Sequence, residues 1–137
     1  MHSINVYLTF NTNCREAMEY YQLIFGGELM FQVSDEKDAI EVFGDKFDKL
    51  VIHSTLQINQ NITLMASDSW QGQEVIFGNS AYVSINCSSL EEINNFFNKF
   101  SQEAKFIKMH LQDTFWNAKF GILTDKFGIN WMFNYQN

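Results

Sequence analysis

The chain has 137 residues, a length that fits one compact domain or two tightly fused small modules. Hydrophobic residues make up 46% and include 14 Phe, 5 Tyr and 3 Trp, which excludes a disordered chain and supplies aromatic side chains for a core or a pocket. Nine basic against sixteen acidic residues leave a net charge of -7, which speaks against nucleic acid as a partner, and the scattered Lys and Arg form no polybasic membrane anchor.

Met1 to Phe10 lacks a charged region followed by an apolar run, so no signal peptide is expected. Ile4–Phe10, rich in β-branched and aromatic residues, reads as a strand. Asn11-Thr-Asn13 is suited to cap a helix on which Ala17, Tyr20, Tyr21, Ile24 and Phe25 recur at helical spacing, and Gly26-Gly27 ends it. Strands are expected at Glu28–Ser34, Ile52–Ile58 and Ile62–Ser67, with a tight turn at Asn59-Gln-Asn61. A charged linker, Asp35–Leu50, separates the first two, and Asp68–Gly78 leads into the second half. There, Tyr82–Asn86 is the first strand, and Ser88-Ser89 caps a helix whose Ile93, Phe96, Phe97 and Phe100 follow the i, i+3, i+4, i+7 pattern. Strands follow at Lys105–Met109, Phe115–Thr124 and Ile129–Tyr135, with a turn at Asp125–Gly128. No stretch approaches the ~20 apolar residues that span a bilayer. Two cysteines, Cys14 and Cys87, are too few for a disulfide framework. The simplest compartment is the cytoplasm.

The halves are similar to each other at an offset of 75 residues. Tyr7, Asn11, Glu16 and Phe25 recur as Tyr82, Asn86, Glu91 and Phe100, and Leu8, Thr9 and Phe10 recur conservatively as Val83, Ser84 and Ile85. Each half reads βαβββ, so the expected fold is α+β, a single domain with module one at 1–67 and module two at 80–137.

Local motifs accompany the repeat. Asn13-Cys-Arg-Glu-Ala17 leads into Tyr20-Tyr21 and Phe25-Gly-Gly27, followed later by Gln112-Asp-Thr-Phe-Trp116 and Asp125-x-Phe127-Gly128-x-x-Trp131. With these, nearly the whole chain resembles the PhnB-like branch of the vicinal oxygen chelate (glyoxalase/bleomycin-resistance) superfamily. The resemblance implies two half-open sheets forming a cavity, which in metal-dependent members holds a divalent ion on His, Gln or Glu from the first and last strand of each unit. It places those positions near Tyr7, Met65, Tyr82 and Met132, give or take one residue, with Tyr7 matching Tyr82 and Met65 matching Met132 across the halves. Phenols and thioethers are poor ligands for Zn, Mg, Mn or Fe(II), so no metal and no cofactor is expected.

The expected function is therefore metal-free binding of a small, partly apolar or aromatic molecule. Candidate wall residues are Tyr7, His53, Met65, Tyr82, Asp113, Phe115, Trp116 and Met132. Each also has a plainer use: the tyrosines as edge aromatics, the methionines as core filling, and Gln112-Asp-Thr114 with Phe115-Trp116 as a loop over packed rings. The alternative is a glyoxalase-type lyase or isomerase, or a dioxygenase-like enzyme. It would use a divalent metal or a His53/Asp113 acid–base pair. The resemblance also implies a homodimer. The seven glycines contain no Gly-x-Gly, so the loop that commonly binds dinucleotides or S-adenosylmethionine is missing.

Overall fold

The computed structural model describes residues 1–33, 50–69 and 73–137. It divides into two compact units, Met1–Ile76 and Phe77–Asn137. The first contains β1 (Val6–Phe10), α1 (Cys14–Phe25), β2 (Glu28–Val33), β3 (Val51–Gln57) and β4 (Thr63–Asp68). The second contains β5 (Val83–Asn86), α2 (Leu90–Ser101), β6 (Phe106–Asp113), β7 (Ala118–Thr124) and β8 (Asn130–Gln136). The expected α+β class and the βαβββ repeat are both present. The sheet orders are β1-β4-β3-β2 and β5-β8-β7-β6, with β1–β4 and β5–β8 parallel and the other pairs antiparallel. Among the described residues no helix is long and apolar enough to cross a membrane.

In unit 1 the strands alternate as a one-sided sheet must. Leu8, Phe10, Ser54, Leu56, Leu64 and Ala66 are buried, and so are Ala17, Met18, Tyr21 and Ile24 of α1. A 3.6 Å contact between Cys14 Sγ and Ser54 Oγ marks this as the helix-facing side. The first turn of α1 is satisfied in an unexpected way. Asn13 stands at the N-cap, but its side chain makes no capping bond. The buried carboxylate of Asp68, at the end of β4, accepts from the Cys14 amide at 3.0 Å and from the Val51 amide at 2.9 Å. One acidic side chain thus ties helix, β3 and β4 together and places negative charge at a helix N-terminus. At the other end, Gly26 and Gly27 have φ of 78° and 94°. A Cβ on Gly27 would collide with the Gln57 carbonyl oxygen, so this position needs glycine twice over.

Unit 2 buries Ile93, Phe97 and Phe100 of α2 against Leu123, Trp131 and Phe133. The Phe97–Phe133 rings meet edge to face at 5.5 Å, and Phe100 lies 5.0 Å from Trp131. Ser89 caps α2 as its sequence predicts, accepting from the Glu92 amide at 3.0 Å, while Glu92 accepts from Ser88. Asp125 explains the Asp125–Trp131 motif. One of its oxygens accepts from the Phe127 and Ile129 amides, and the other accepts from the Trp131 indole at 2.8 Å.

Two expected boundaries differ by three residues or more. β6 runs to Asp113 rather than stopping at Met109, and β7 begins at Ala118 rather than Phe115. Thr114–Asn117 is the turn between them, closed by the Thr114 amide donating to the Ala118 carbonyl at 2.9 Å, with Asn117 at φ 62°. The linker expected at Asp35–Leu50 lies outside the described residues except for Leu50, as do residues 70–72 of the connection between the halves.

Candidate functional site

The face of the unit 1 sheet turned away from α1 carries a connected polar group. Cross-strand pairing sets Met30 beside Thr55, Thr55 beside Met65 and Met65 beside Tyr7, one row across all four strands. His53 lies two residues before Thr55 and so shares its face. The Tyr7 hydroxyl and His53 Nδ1 are 3.1 Å apart, and Nε2 of the same ring is 3.1 Å from Thr55 Oγ1. The Tyr7 and His53 rings stack at 5.6 Å with 27° between planes. Tyr7 remains 47% exposed and Met30 71%. Tyr7, His53 and Met65 of the expected set are therefore brought together. Thr55 and Met30 complete the group and were not anticipated. The His53-x-Thr55 spacing, which puts both on one strand face, was the available signal.

The corresponding face of unit 2 is built differently. Tyr82, just before β5, accepts from Lys108 Nζ at 3.4 Å, and the ammonium lies 5.6 Å from the ring centre. Met132 pairs with Ser84, and the register β5–β8 puts Val83 beside Trp131. Continuing that register sets Asn130, not Met132, beside Tyr82, so Met65 and Met132 are not equivalent in the repeat: they differ by two positions along the strand. Asn130 is fully used, donating to the Gly78 and Ala81 carbonyls and accepting from Thr124. Phe115 and Trp116 sit at the exposed β6–β7 turn, their rings edge to face at 4.8 Å, with Trp116 6.3 Å from Phe120. Asp113 is the last residue of β6 and pairs with Lys119. His53 and Asp113 lie in different units, and both ring nitrogens of His53 are engaged within unit 1.

The donor set fails a divalent-metal test. Tyr7 with Met65 in unit 1, and Tyr82 with Met132 in unit 2, offer phenols and thioethers where imidazole and carboxylate are needed. No group of three or more His, Cys, Asp or Glu able to hold an ion occurs among the described residues. The cysteines are poor nucleophiles. Burial pushes the Cys14 thiol up to about 12, with the Ser54 hydrogen bond opposing and Asp68 adding to the rise. Burial, followed by Glu92, pushes Cys87 up to about 11.

A family model described as 3-demethylubiquinone-9 3-methyltransferase matches residues 2–133. The chain belongs to that family. Protein YjdN of Escherichia coli K12 is 31% identical over 140 residues, covering 96% of this chain and 93% of YjdN. A Bacillus cereus PhnB protein, described as a putative 3-demethylubiquinone-9 3-methyltransferase, is 28% identical with a TM-score of 0.79, covering 98% of this chain and 99% of its own. The fold extends to a glyoxylase/bleomycin resistance protein/dioxygenase domain from Frankia sp. EAN1pec, 11% identical, TM-score 0.65, covering 100% of this chain and 98% of that one. The PhnB-like resemblance and the glyoxalase/bleomycin-resistance fold are thus both established. Within this PhnB-like chain, the Asp125–Trp131 motif has a structural role as a turn anchor.

Proposed function

We propose that this chain is a metal-free, cytoplasmic small-molecule binding protein, a single domain made of modules 1–67 and 80–137, that acts as a homodimer. The observation that carries the reading is the Tyr7–His53–Thr55 hydrogen-bonded group on an exposed sheet face, with Thr55 between Met30 and Met65 and Met65 between Thr55 and Tyr7. Soft apolar side chains around a few fixed polar atoms are how small partly apolar or aromatic ligands are held and oriented. Tyr82, Asp113, Phe115, Trp116 and Met132 form the second candidate set, on unit 2, with Trp116 as its fluorescent reporter. A methyltransferase activity of the kind named in the family description has no support in a Gly-x-Gly loop.

A proton-transfer enzyme is the second reading, favoured by the phenol hydrogen-bonded to an imidazole. In it Tyr7 replaces Asp113 as the partner of His53.

Native mass spectrometry of protein purified from its own host tests the first reading. A retained organic molecule with no stoichiometric Zn, Mn or Fe is the expected result. Stoichiometric metal, lost together with ligand binding on chelation, overturns it.

A further inference from the structure

We infer that the unit 1 site selects ligands carrying one hydrogen-bond donor and one acceptor at opposite ends of a flat apolar body, and disfavours ligands with two acceptors. The inference rests on the small-molecule reading above and adds the ligand's class.

The rule follows from counting protons along the Tyr7–His53–Thr55 group. A neutral imidazole has one N–H and one bare nitrogen. With the proton on Nε2, that nitrogen donates to Thr55, and the Tyr7 O–H must donate to Nδ1. The Thr55 hydroxyl hydrogen is then the one left pointing outward, while Tyr7 oxygen keeps only lone pairs. Moving the proton to Nδ1 reverses every bond: Nδ1 donates to Tyr7, Thr55 donates to Nε2, and the Tyr7 hydrogen turns outward. Both distances are 3.1 Å, so neither direction is favoured by geometry. Among the described residues neither hydroxyl has another side-chain or backbone partner. In either state the group therefore offers one outward donor at one end and one outward acceptor at the other. Because the chain reverses, the ligand can lie either way round.

The flanking residues fix the body of the ligand. Met30 and Met65 stand on either side of Thr55, and the Tyr7 ring stacks on His53. Thioether sulfur and a stacked ring pair favour a flat aromatic or conjugated core over an aliphatic one. Hydroxyaryl ketones and related hydroxy-carbonyl compounds have this chemistry.

The test compares 4-hydroxyacetophenone, which has a donor and an acceptor across one ring, with 1,4-diacetylbenzene, a body of similar shape with two acceptors. Binding is read from chemical shifts of unit 1 amides. Two-bond proton–nitrogen spectra of the His53 ring report its protonation and tautomer directly, and the titration is run where they show it neutral. The hydroxyketone should bind about tenfold tighter, the scale of one net charge-free hydrogen bond. Thr55→Val and Tyr7→Phe, which keep shape, should each level the two affinities. Equal affinities in the unaltered protein overturn the rule and leave the small-molecule reading standing. A preference that survives both substitutions also overturns it, because recognition then lies elsewhere. If neither probe shifts unit 1 resonances up to about 10 mM, the rule and the reading beneath it are both overturned.

Discussion

Asp125 accepts from two backbone amides and an indole N–H, and every one of those donors would be stranded by its loss. Asp125→Asn keeps the size but turns an NH2 toward donors. It should cost about 2–3 kcal/mol, read as a lower urea midpoint with a shifted Trp emission. The buried thiols give a prediction with a definite sign. The folded-state values of Cys14 and Cys87, about 12 and about 11, lie above the ordinary value of 9.0. Below that ordinary value both states hold the proton and nothing is lost. Above it the unfolded chain releases protons that the folded chain retains, so stability falls as pH rises from about 9 toward 12. Cys14→Ala should flatten that alkaline decline in denaturant titrations, and a thiol reagent at pH 8 should label both cysteines only after unfolding. At this scale the sequence was partly legible. Tyr7, His53 and Met65 were identifiable as types and do lie together. Thr55 was missed because a threonine in a strand looks like any other, and only the register makes it the second partner of His53.

The ends of α1 and α2 are secured by different means. Ser89 caps α2 locally, whereas α1 relies on Asp68, more than fifty residues away in sequence. A local reading of Asn11-Thr-Asn13 could not reveal this, because the capping oxygen arrives only with β4. The Gly26-Gly27 pair separates two physical costs. Gly26 has open space around it but a φ of 78°, so Gly26→Ala should cost about 1 kcal/mol from backbone conformation alone. Gly27→Ala adds a collision with the Gln57 backbone and should cost several-fold more, lowering the melting temperature well beyond the Gly26 variant. The β6–β7 turn shows why one boundary was misplaced. Phe115 and Trp116 have strong strand preferences, yet Thr114 closes a turn around them, and Asn117 accepts the left-handed backbone that most residues avoid. Turn chemistry overrode propensity there. Helix periodicities were read correctly because each is reinforced by a buried face.

The repeat made the architecture readable from sequence alone, since two copies of one pattern constrain each other. It did not carry the site. Matching Met65 with Met132 by residue type ignored the strand register, which pairs Met132 with Ser84 and leaves Tyr82 with Lys108. The assembly we propose is a homodimer, and sedimentation at micromolar concentration should give twice the chain mass. A species of single-chain mass removes it. The parallel pairing of the first and fourth strands, β1 with β4, has a consequence for how the chain acquires its structure. Val6 meets Leu64 and Phe10 meets Asp68, so among the described strands β1 has no partner until β4, which starts more than fifty residues after β1 ends and runs to Asp68, has been made. Asp68 also closes α1 onto β3. Closing so long a loop before any reward is slow. A nascent chain stalled short of Thr63 should therefore remain protease-sensitive throughout, and extension by the few residues of β4 should protect it in one step.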